Sequence, residues 1–144
     1  MVERPDVDAA VVRRVRDICT KLPGVREEEA WVGTRWCVGT KNFAHVVHVE
    51  AGWPPAYSKA CGHDGPLDVV TLRSSGEELE ALRHVGAPFF WPGWFPNLIG
   101  VVLSDDTDWS ELGELILESW CVLAPKRVAG TLRRPVDGPR IVDG

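Results

Sequence analysis

In residues 6–22, DVDAAVVRRVRDICTKL, the apolar side chains Val11, Val15, Ile18, Cys19 and Leu22 follow the i, i+4, i+7, i+8, i+11 spacing of one helical face. Arg13, Arg14, Arg16 and Asp17 take the wet face. Asp6 or Asp8 can cap the start, and Pro23-Gly24 ends the helix. Short Val-, Trp- and Phe-rich segments follow at 26–32, 34–39 and 42–49, separated by Gly33-Thr34 and Gly39-Thr40-Lys41. They predict three strands of an antiparallel meander. Residues 50–65, EAGWPPAYSKACGHDG, read as a long irregular loop. LDVVTLR at 67–73 is a fourth strand. Ser75 and Glu78 then have capping-box spacing for a short helix that stops at Gly86. LIGVVL at 98–103 returns to strand. The last helix, 109–123, starts at an Asp108/Glu111 capping pair and turns Leu112, Leu115, Ile116, Ser119 and Leu123 inward.

The order α-ββββ-α-β-α, with room for one more short strand, predicts an α+β domain: a mostly antiparallel sheet with the N- and C-terminal helices packed on one face. Val15, Ile18, Leu112, Leu115 and Ile116 are expected in their shared core. One domain covers 1–128, and the Gly-, Pro- and Arg-rich segment 129–144 is expected to be a loosely ordered tail.

At 144 residues the chain can bury a core without disulfide staples. Cys19, Cys37, Cys61 and Cys121 are irregularly spaced, which suggests free thiols. No apolar run reaches membrane-span length, and the start, MVERPDVDAA, carries no apolar signal region, so the expected location is cytoplasmic, with no membrane partner. The net charge of −5 argues against a strong, sequence-blind grip on duplex DNA.

Candidate chemistry is sparse. Cys61-x-His63 is the only tight pair of metal-ligand type, and a structural zinc site needs a second, so no metal site is expected. His45 and His48 lie three apart on a strand and face opposite ways. The acidic groups 27–29, 77–80 and 105–108 read as solvated or capping carboxylates. There is no GxSxG elbow, phosphate-binding glycine loop or HExxH, so neither a catalytic residue nor a cofactor is assigned. Arg35, Lys41, Arg73, Lys126 and Arg127 can form a local basic strip.

The tryptophans divide. Trp31, Trp36 and Trp109 lie on strands or at a helix start and are expected to be largely buried. Trp53, Trp91 and Trp94 adjoin proline or glycine, in segments that cannot be regular helix or central strand. In FFWPGWFPNL, residues 89–98, Phe89 or Phe90 is expected as a buried anchor, with Trp91 and Trp94 partly exposed and facing the loop that carries Trp53.

LPGV at 22–25, KNFAHV at 41–46, VTLR at 70–73, EELEALR at 77–83 and ESWCVLAPKRV at 118–128, in this order and spacing, resemble the MmcQ/YjbR family. The resemblance implies a frataxin-like α+β fold and a DNA-binding label, and brings no catalytic residues. Three departures mark this chain: aromatic FFWPGWFPN where the family often has lysine, Ser119-Trp120 where it has Ser-Tyr, and the elaborated 50–65 loop.

The resulting expectation is a non-enzymatic binding module. Its candidate site is an aromatic pocket of Trp53, Tyr57, Trp91, Trp94 and Phe95, with Trp36 beside them and Arg73 and Lys41 at a basic edge. The expected ligand is a nucleotide or single-stranded nucleic acid, held weakly and salt-sensitively, or a small planar molecule. The alternatives are a protein-binding or homodimerisation patch built from the same rings, and a cysteine-dependent enzyme using Cys61.

Overall fold

A computed structural model describes residues 6–126. The expected tail, Arg127 and the arginines beyond it lie outside the described residues. Helix α1 (Ala9–Cys19) leads into strands β1 (Val25–Glu29), β2 (Thr34–Val38) and β3 (Lys41–Val49), helix α2 (Pro55–Cys61) and strand β4 (Leu67–Arg73). Helix α3 (Gly76–His84), strands β5 (Phe89–Phe90) and β6 (Leu98–Leu103), and helix α4 (Trp109–Leu123) complete the chain. The strands form one sheet in the order β1-β2-β3-β4-β6-β5, every neighbouring pair antiparallel. The fold is α+β, as the periodicity predicts.

Register divides the sheet into two faces. Trp36, Ala44, Leu72 and Ile99 form one cross-strand row on the first face, and Val46, Val70 and Val101 the next. These join Val15, Cys19, Leu112, Ile116 and Trp120 in a single core, with Ile18 and Leu115 packed against it. The terminal helices therefore share this face, on the stripes read from the sequence. Asp8 caps α1 by accepting from Ala10 N, and Asp108 caps α4 by accepting from Ser110 N and Glu111 N.

The second face carries Arg35, His45, Thr71 and Gly100 in one row, with Val47 and Val69 beside them. Val47, Val49, Val69 and Thr71 point away from α1 and α4 yet are buried. The ring of Phe90 lies over Gly100, where a Cβ would collide with it.

Three expectations need correction. The 50–65 segment is not irregular: Pro55, at the first helical position, opens α2, and Gly62 ends it in the left-handed region at φ 73°. Ser75 caps α3 without a side-chain hydrogen bond, and the hydroxyl of Ser74 lies near Glu78 instead. Trp31 is not buried. The β1–β2 turn tightens around Gly33, whose Cα faces the Val46 carbonyl, and Trp31 is left 91% exposed at its tip.

Candidate functional site: a cationic cleft with an aromatic wall

Arg73 ends β4 on the second face, yet it is buried, with 8% of its surface exposed. Its Nε–H donates to the Asn42 carbonyl at 3.1 Å and its Nη1 to Asn97 Oδ1 at 3.0 Å. Among the described residues no carboxylate pairs with it. A buried charge left without a counter-ion is costly, and burial pulls the Arg73 pKa below its ordinary value. The guanidinium sits 5.2 Å from the ring centroid of Phe95, which is half exposed.

These residues line a cleft of about 410 Å³ together with Arg26, Glu28, Arg35, Cys37, Thr40, Lys41 and Asn42. Among the described residues, Glu28 is the one carboxylate in the lining. It accepts from Arg26 Nε and Arg35 Nε, each at 2.8 Å, and these hydrogen bonds hold its pKa below the usual carboxylate range. Among the described residues, four cationic side chains thus face one anionic one. Burial pushes the Cys37 thiol up, away from a reactive thiolate.

An aromatic wall rises from the cleft. Trp94, next to Phe95, meets Tyr57 of α2 edge-on at 4.8 Å. Tyr57 meets His45 of β3 edge-on at 6.1 Å. His45 Nε2 lies 2.7 Å from the Val32 carbonyl, which can only accept, so Nε2 carries the proton. Nδ1 is then free to accept from the Tyr57 hydroxyl at 3.3 Å. Burial lowers the His45 pKa, more than the Val32 hydrogen bond raises it, which favours this neutral form. One residue before Val32 the exposed ring of Trp31 meets Trp53 edge-on at 6.0 Å.

The structure brings together Arg73, Lys41 and Phe95 at the cleft, with Trp94 and Tyr57 beside them. Trp53 pairs with Trp31, a residue the sequence reading assigned to the interior. Trp91 packs against the helix-side core under Arg83 of α3, whose guanidinium lies 4.2 Å from its ring centroid, instead of facing Trp53. Phe89, one of the two candidates for the buried anchor, packs partly buried against that core. Trp36 is wholly enclosed, its Nε1–H donating to Glu27 Oε1 at 2.9 Å, so no ligand reaches it. Arg35, expected in the basic strip, lines the cleft, whereas Arg26 carried no local signal and was missed. It faces the cleft only because β1 pairs with β2 in this register.

Cys61 Sγ lies near the carbonyls of Ser58 and His63, and His63 Nδ1 accepts the Gly65 N–H at 2.9 Å. Among the described residues, no three His, Cys, Asp or Glu side chains converge as a metal ligand set. His45 and His48 do face opposite sides: His48 meets Asp68 and Glu50 on the helix face, both at 2.7 Å. Among the described residues no helix is long and apolar enough to cross a membrane.

Fold and cleft together define a one-sheet α+β protein with terminal helices on one face and a cationic, aromatic-edged cleft on the other. The family model described as YjbR matches residues 20–122, most of the chain, and the protein belongs to that family. No curated protein matches it.

Proposed function

We propose that this protein is a non-enzymatic binding module that holds a nucleotide unit, free or within a single strand, in the cleft between Arg73, Lys41 and Phe95. The observation that carries this reading is Arg73: a buried guanidinium, without a carboxylate partner among the described residues, beside a half-exposed aromatic ring. An anion at this point supplies the missing counter-charge, and arginine's fork suits phosphate. The ring offers a stacking surface for a base. A volume of about 410 Å³ lies within the range of roughly 300–1,000 Å³ typical of small-ligand sites. Duplex DNA fits less well, because a chain of net charge −5 lacks the broad basic surface a duplex backbone demands.

Isothermal titration of the full chain with thymidine 5′-monophosphate at low salt tests the reading. Saturable binding that is lost on Lys41→Gln, Phe95→Ala double substitution supports it. Both residues are exposed, so the fold should survive, with an unchanged melting temperature as the control. Absence of heat at millimolar nucleotide would sink it.

A further inference from the structure

The cations of the cleft are not equally occupied. Arg26 donates through Nε to Glu28 and through Nη1 to the Gly39 carbonyl at 2.9 Å, so the chain itself holds it on two sides. Arg35 donates through Nε to Glu28, and its two Nη groups have no partner among the described residues. Arg73 spends Nε and Nη1 on Asn42 and Asn97, which leaves Nη2 without a partner among the described residues. Lys41 is exposed at the start of β3, with its ammonium unpaired among the described residues. Unused donors thus reach one cleft from three neighbouring strands, β2, β3 and β4. Two strand spacings are about 10 Å, a width that long side chains close over a single small group.

Charge narrows the ligand further. Glu28 offsets one of the four cations, so the described lining keeps a surplus of three positive charges. An internal phosphodiester brings one negative charge and two free oxygens. A phosphomonoester, with its second pKa near 6, brings about −1.5 to −2 charges at pH 7 and three acceptor oxygens. Three cationic donors with unused N–H groups match three oxygens, and a dianion offsets more of the surplus than a monoanion does. Burial strengthens the preference at Arg73, where the charge is poorly screened by water.

We infer that the cleft selects a terminal phosphate, the dianionic phosphomonoester of a nucleotide, over the internal phosphodiester of a strand, with Arg35, Lys41 and Arg73 sharing its three oxygens. This inference rests on the nucleotide reading of the cleft. Phe95, over Arg73, is the surface left for the base. The charge of the ligand has a consequence for each cation. A dianion interacts with Lys41 about twice as strongly as a monoanion at the same place, so loss of the ammonium costs the phosphomonoester more than a diester.

The test titrates the full chain at low salt, above the second phosphate pKa, with thymidine 5′-monophosphate and with its phosphate methyl ester. The ester keeps base and sugar but carries one charge and two free oxygens. The monophosphate should bind at least about tenfold more tightly, the step that one charge-assisted hydrogen bond supplies. Lys41→Gln should shrink that ratio, with an unchanged melting temperature as the control. A 5′-phosphorylated dithymidylate separates the two sources of such a group: tight binding extends the site to strand ends, loss of binding restricts it to free nucleotides, and the terminal phosphate is retained in either case. Equal affinity for the monophosphate and its methyl ester overturns the selection while the nucleotide reading stands. A ratio that Lys41→Gln leaves unchanged removes Lys41 from the phosphate and overturns the three-cation arrangement. No binding of either ligand at millimolar concentration overturns both the selection and the nucleotide reading.

Discussion

The Ser119 hydroxyl accepts the Arg73 backbone N–H at 2.7 Å and donates to the Phe43 carbonyl, so helix α4 is bonded directly to the residue at the centre of the cleft. The site of this bond is set by the strands. Ala44 and Leu72 are the last paired residues of β3 and β4, and β3 bulges at Phe43, where Trp36 opposes Ala44 and Cys37 opposes Asn42. The ladder opens there, and a fully buried serine from the opposite face bridges the two backbone groups.

Ser119→Ala should therefore cost about 1–3 kcal/mol, because it strands a buried donor and a buried acceptor. Urea unfolding measures the loss. Ser119→Thr, which keeps the hydroxyl, should recover part of it if the extra methyl is accommodated. A change below about 0.5 kcal/mol in the alanine variant would show that the bridge is not structural.

Two tryptophans should behave oppositely. Trp36 is wholly enclosed, so Trp36→Ala should destabilise by about 3–5 kcal/mol through cavity formation and the loss of its bond to Glu27. Trp31 is almost wholly exposed, so Trp31→Ala should stay within about 0.5 kcal/mol of the parent. Thermal melts of the two variants decide the matter, and a Trp31→Ala protein that unfolds would place that ring in the core.

Gly100→Ala should be unfavourable although alanine is small, because its Cβ would enter the ring of Phe90. About 1–3 kcal/mol is expected for such overpacking. Combining it with Phe90→Leu should give a double-mutant cycle with favourable coupling between the two changes. Additive effects would mean that ring and glycine do not meet.

His48 gives a pH dependence of known sign. Burial opposes its charge, but hydrogen bonds to Glu50 and Asp68 prevail and raise its pKa above the ordinary value near 6.5. Asp68 also accepts from Asp8 N at α1, at 3.5 Å. A raised folded pKa means that the stabilisation is fully present below about pH 6.5 and is lost as pH rises through the folded value. The cost of His48→Gln, from denaturant curves at several pH values, should be largest near pH 6 and shrink towards pH 8.5. A cost that grows with pH would reverse the assignment.

Periodicity alone determined the two terminal helices, the positions of β4, β6 and α4, and the shared helix-side core. Apolar stripes and alternating strands are local patterns that only one face can bury, and Asp8 and Asp108 cap their helices within three residues in sequence. The sheet order, with β6 between β4 and β5, is a pairing choice that no local pattern encodes. The cleft is still less legible. It needs Arg26 brought beside Arg35 by the β1–β2 register, Lys41 and Asn42 by the β2–β3 turn, and Arg73 with Phe95 from segments more than twenty residues apart. The aromatic run at 89–98 shows the same division. Its composition ruled out a regular buried element, but only tertiary packing sent Trp91 under Arg83, Phe90 onto Gly100 and Trp94 against Tyr57, because neighbours along a turn diverge and meet partners from different parts of the chain.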